Sequence, residues 1–189
     1  MKTDLRQDAS VPLRLFSVAL VGAAVGYCAE NIHKAAGVWV LPEGAGLPVW
    51  ISVVYFFAII GTGFAFVWFE RRVKVFTPFS VRTLFIEGGL FAALYLAPPL
   101  LHSHEVGLTV VASAYLLVRL IFCRAKGDLA VAVFVLSADY VLEFALAAAS
   151  LFEYSNAQCM PLPLWLAPLW GGLGIGLRRF FVATLKLYR

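Results

Sequence analysis

Charge is scarce in this sequence. Asp, Glu, Lys and Arg make up 14% of its 189 residues, against about 25% in soluble domains, which excludes an ordinary water-soluble globule. Long polar stretches are missing too: the intervals between apolar runs, 31–47 and 152–161 among them, are too short for a separate domain. Only three cysteines occur, Cys28, Cys123 and Cys159, in no paired spacing; this argues against a disulfide scaffold or a thiolate metal site and for free thiols. There is no HExxH, GxSxG or Walker signature, so the sequence carries no soluble-enzyme motif. No internal repeat is visible, which argues against transporters built from repeated halves.

What fills the sequence is oil. Hydrophobic residues account for 62% and the mean hydropathy is +0.87, values of a chain that lives in a bilayer. Crossing ~30 Å of hydrocarbon takes about 20 apolar residues, and six segments qualify: 13–29, 48–69, 81–101, 106–123, 129–151 and 162–183. The expected fold is an all-α bundle of six transmembrane helices forming one domain over 1–189. Pro98 and Pro99 interrupt the third segment and Arg119 the fourth. The first lacks a clean A-x-A cleavage site after its apolar run, so it reads as a retained helix and not a signal peptide.

Lys and Arg gather on the cytoplasmic side of short loops. Thirteen of the fifteen flank the same side of the six segments, with Lys34 opposite and Arg119 inside the fourth. Both termini are therefore expected in the cytoplasm, and the net charge of +4 reflects this bias and contact with anionic headgroups. It is no argument for a nucleic-acid partner.

Against this background the ionisable residues inside the segments stand out. Asp139 and Glu143 lie one helical turn apart in LSADYVLEFALAAAS, ~16 and ~22 Å from the cytoplasmic edge at 1.5 Å per residue, which puts Asp139 near the midplane. Glu87 of the third segment and Arg119 of the fourth share a depth of roughly 8–9 Å. Such groups are costly in hydrocarbon, so they face the bundle interior, pair, or lose their charge. Arg119 has two candidate partners, Glu87 and Asp139. The four residues are read as lining a polar pocket between segments 1, 3, 4 and 5, with Asp139 and Glu143 at its polar end; an internal hydrogen-bond network without a ligand is the plainer alternative. The glycines of GGLGIGLRR, 171–179, and Gly61 and Gly63 are read as close-packing positions. In HSHE, 102–105, two histidines and Glu105 offer three possible metal ligands in a loop, but no second cluster accompanies them, and a polar outer loop is the preferred reading. No metal and no cofactor is expected.

The sequence resembles the insulin-induced gene (Insig) family of small six-helix membrane proteins. The resemblance is carried by LFSVALV at 15–21, LIFCRAKGDL at 120–129, FEYSN at 152–156, Trp165 with Leu166, and GGLGIGLRR at 171–179. It implies a non-enzymatic lipid sensor or scaffold, since eukaryotic members hold an oxysterol among their helices and retain a sterol-sensing escort protein in the endoplasmic reticulum. Those members have an acidic residue directly before the Arg that ends helix 4; here Cys123 precedes Arg124, so the likeness does not extend to the escort interaction. The short loops suit a prokaryotic relative in a bacterial inner membrane, with diacylglycerol or a sterol-like lipid as ligand and a homo-oligomer, a trimer among the options, as its assembly. The rival reading is a proton-coupled transporter or channel using Asp139 and Glu143; a membrane-embedded enzyme ranks third, for want of a nucleophile or metal set.

Overall fold

The structure is a computed structural model and describes residues 10–41, 47–73, 81–122, 127–158 and 161–185. Lys2, Arg6, Lys74, Cys123, Arg124, Lys126, Cys159, Lys186 and Arg189, used above for orientation and thiol chemistry, lie outside these residues.

Six rods form the bundle, the third interrupted. They are α1 (Ser10–Ala35), α2 (Trp50–Val73), α3 (Val81–Tyr95) continued by α4 (Ala97–Leu101), α5 (Glu105–Phe122), α6 (Asp128–Ala148) and α7 (Leu166–Thr184). Four of them, α1, α2, α5 and α6, are long and apolar enough to cross a membrane. Much of their surface is exposed Leu, Val and Phe, for example Phe57, Phe122, Val106 and Val141, the covering expected where the outer solvent is lipid.

The sixth rod is different. Helix α7 packs against α6, α3, α5 and α2, and most of its residues are buried. Its glycines make this possible: a Cβ at Gly172 would lie 2.7 Å from the Tyr115 ring, and one at Gly174 the same distance from Val135 Cβ. The close-packing reading of 171–176 therefore holds. It holds also at Gly63, where a Cβ would strike Leu15, but not at Gly61, which has nothing within 4 Å and contributes no helix contact.

The ends depart most from expectation. Helix α1 runs six residues past Ala29 and closes in a left-handed turn at Gly37 (φ +78°), with Val38 N donating to His33 O and Gly37 N to Lys34 O, the bond pair that satisfies the last carbonyls of a helix. The loops after α1 and α6, at the end of the bundle named outer from the expected orientation, pair as a two-stranded antiparallel ribbon, β1 (Trp39–Val40) with β2 (Glu153–Tyr154), placing Trp39 opposite Tyr154. HSHE forms a 3-10 turn, His102–His104, leading into α5 at Glu105; among the described residues no three His, Cys, Asp or Glu side chains converge as a metal site.

Candidate functional site: two buried polar layers

At the end of the bundle where α2, α5 and α7 finish and α6 begins, six charged side chains among the described residues form one alternating row. Arg178 donates from Nε to Glu70 Oε1 (2.5 Å) and from Nη1 to Asp128 Oδ1 (2.7 Å). Arg179 bridges Asp128 Oδ2 (3.3 Å) and Glu87 Oε1 (2.7 Å), and Arg119 Nη2 closes the row on Glu87 Oε2 (2.7 Å). The row joins α2, α7, α6, α3 and α5, and its three acids and three arginines sum to zero charge. Arg178, Glu70 and Asp128 are sealed from the surface. Phe69 and Tyr115 lie under Arg178 and Arg119, where the rings favour the cations. Gly127, in a left-handed conformation (φ +91°), turns the chain so that Asp128 enters the bundle as the first residue of α6.

Of the two partners the sequence allowed for Arg119, the structure uses Glu87. It also corrects the charge accounting: Arg178 and Arg179 are ion-pair partners within the bundle, and Glu70 and Asp128 are buried acids that the sequence reading passed over. Each sits at a helix end beside basic residues, in FERR and AKGDL, where a charge normally marks the membrane surface.

The second layer lies toward the opposite end and holds acids with hydroxyl and indole donors instead of arginines. Glu30 of α1 accepts at Oε1 from the phenols of Tyr55 (α2) and Tyr95 (α3), each at 2.5 Å, and at Oε2 from Trp39 Nε1 at 2.9 Å. Gly26, one turn earlier, lets the Tyr55 ring lie against the α1 backbone: a Cβ there would be 2.7 Å from Tyr55 Cδ1. Glu143 of α6 accepts from Tyr154 of β2 at 3.0 Å. Asp139 Oδ2 is inaccessible and has no hydrogen-bond partner among the described residues. No ion pair reaches Glu30, Asp139 or Glu143 among the described residues. Tyr154 sits in the ribbon outside the spans; burial first, then the charges of Glu143, Asp139 and Glu30, push its phenol well above the usual tyrosine range, so it remains a donor.

The four residues singled out from the sequence thus fall into two places. Glu87 and Arg119 belong to the alternating row, while Asp139 and Glu143 belong to the outer layer. Glu30 was missed because the first segment seemed to stop at Ala29. The groups around the outer layer come from α1, α2, α3, α6 and the ribbon. FEYSN acquires a structural meaning here: Tyr154 holds Glu143, Ser155 Oγ donates to Gly37 O at 2.5 Å, and Asn156 Nδ2 donates to His102 O at 3.0 Å. The motif staples the outer ends of α1, α6 and the 3-10 turn together.

A six-rod bundle with α7 at its centre, four helices long and apolar enough to cross a membrane, and two buried polar layers defines a multi-pass integral membrane protein. No protein-family profile matches the sequence, and no curated protein is similar to it. Solved structures match its fold. The crystal structure of a mycobacterial Insig homologue, MvINS from Mycobacterium vanbaalenii, superposes with a TM-score of 0.74 at 17% identity, covering 97% of this chain and 96% of that one. The crystal structure of a cross-linked MvINS trimer, formed by an arginine-to-cysteine variant, gives 0.73 at 17% identity over 96% and 95%. The chain is Insig-like in fold.

Proposed function

We propose that this protein is a non-enzymatic, Insig-like lipid sensor or scaffold that holds one neutral lipid with a free hydroxyl, of the diacylglycerol or sterol kind, with its polar end at Asp139 and Glu143. One observation carries the reading: Asp139 Oδ2 is buried without a hydrogen-bond partner, and a buried polar atom left unpaired costs about 1–3 kcal/mol. A ligand hydroxyl donating to it removes that cost, while the lipid chains replace bilayer contacts along the apolar walls. The contrast between the layers supports the same choice. The acids of the alternating row are neutralised by arginines; Asp139 and Glu143 have no arginine partner among the described residues, so an anionic headgroup there would find no cation to pair with.

The proposal includes a bacterial inner membrane with both termini cytoplasmic, and a homotrimer, the assembly in which the cross-linked mycobacterial homologue was crystallised. The test is the lipid that survives gentle purification, identified and counted by native mass spectrometry. Asp139→Leu and Glu143→Leu should each lose a stoichiometric neutral lipid that the wild type and Val141→Leu retain, Val141 being exposed on α6. Equal lipid in all four proteins would make the acids purely structural, and proton-driven uptake by reconstituted liposomes would favour the transporter.

A further inference from the structure

In a helix each carbonyl accepts from the amide four residues on, or three on in a tighter turn. Tyr95 has neither donor, because residues 98 and 99 are both proline, and proline lacks the N–H. The neighbouring carbonyls keep one each: Ala97 can serve Leu94, and Leu100 can serve Leu96. Tyr95 is therefore the one position where the Pro-Pro pair removes both, and an unpaired backbone carbonyl inside a membrane bundle is costly.

The structure fills that position from another helix. His33 of α1 is buried, with 6% of its surface accessible, and its Nε2 lies 3.0 Å from Tyr95 O. Its Nδ1 lies 2.9 Å from Ala29 O. The two carbonyls are not equivalent: Ala29 O already has the helical amide of His33 as donor, whereas Tyr95 O has none, so a proton on Nε2 satisfies the needier group. The His33 and Tyr95 rings also meet edge to face at 4.9 Å. One turn earlier on the same helix, Glu30 holds the Tyr95 phenol. Helix α1 thus grips one residue of α3 twice, by its main chain and by its side chain.

We propose that His33 is a positioning residue of the outer layer: it supplies the hydrogen bond that Pro98 and Pro99 deny to Tyr95, and so keeps the Tyr95 phenol on Glu30. What that layer holds rests on the lipid reading above; the grip itself does not.

The test is a double-mutant cycle between His33 and Pro99. Leu96, between α3 and α4, is near helical (φ −89°, ψ −3°), so an amide restored by Pro99→Ala falls one turn beyond Tyr95 O and can serve it. His33→Leu should lower the melting temperature in detergent and shift the Tyr95 ring resonance in tyrosine-labelled protein, the signal being identified by its loss in Tyr95→Phe. In the Pro99→Ala background the same His33→Leu change should cost less than half as much and leave that resonance near its original position. Because the cycle can be run from the Pro99→Ala side, a failure of His33→Leu alone to fold still counts, provided the double variant folds. Equal losses in both backgrounds, or a Tyr95 resonance indifferent to His33, would overturn the proposal. Absence of lipid from every variant would remove the lipid reading while leaving the cycle to decide the role of His33.

Discussion

At the scale of single residues, the alternating row makes unequal demands on its members. Arg119 is terminal and touches one acid, Glu87, which also receives Arg179. Removing one member of a buried pair strands the other, typically at about 3–5 kcal/mol, whereas removing both is milder. Arg119→Leu should therefore lower stability by about 3 kcal/mol, less if Arg179 shifts to take the freed Glu87 oxygen. Adding Glu87→Gln should cost less than the two single losses together, with incomplete recovery because Arg179 also loses the Glu87 carboxylate. Pairing Arg119→Leu with Asp139→Asn should instead be additive, since these residues belong to different layers. Thermal unfolding of the three single variants and the two doubles checks both statements, and a coupling between Arg119 and Asp139 in place of Glu87 would contradict the geometry of the row.

At the scale of elements, the glycines separate by what surrounds them. Gly174 faces Val135 Cβ, an atom anchored directly to the α6 backbone that cannot swing aside, so Gly174→Ala must push two helices apart, at about 1–3 kcal/mol for overpacking. Gly61 faces open space, and Gly61→Ala should raise stability by up to about 1 kcal/mol through helix propensity. Melting temperatures moving in opposite directions for these two substitutions would verify the assignment. The number and order of the rods were legible because a span leaves an unbroken apolar run, and even the break at Pro98 and Pro99 could be read. What stayed hidden follows from the same rule. Glu30, Glu70 and Asp128 lie near the ends of apolar runs, where a charge is normally solvated, and only the packing of α7 shows that Arg178 turns inward. The ribbon between 39–40 and 153–154 was illegible because two-residue strands leave no periodicity; neither loop signals a strand without its partner.

At the scale of the whole molecule, the two layers give the bundle a polarity that can be measured. The alternating row occupies the end where most of the basic residues flank the spans. Taking the buried Arg178 and the part-buried Arg179 out of the thirteen counted there leaves eleven with Lys34 alone at the other end, so the bias keeps its sign. This bias predicts the row toward the cytoplasm, and the layer of Glu30, Asp139 and Glu143 toward the outer leaflet. Two exposed positions report on this: Arg72 at the end of α2 and Ser103 in the 3-10 turn. In a chain whose three native cysteines have been replaced, Ser103→Cys should react with a membrane-impermeant maleimide on intact cells. Arg72→Cys should react only after the membrane is opened. The reverse pattern would turn the molecule over, placing the Asp139 layer toward the cytoplasmic leaflet, and a lipid bound there would be drawn from that leaflet instead. Leaflet-selective delivery of a labelled diacylglycerol would then have to load the protein from the cytoplasmic side.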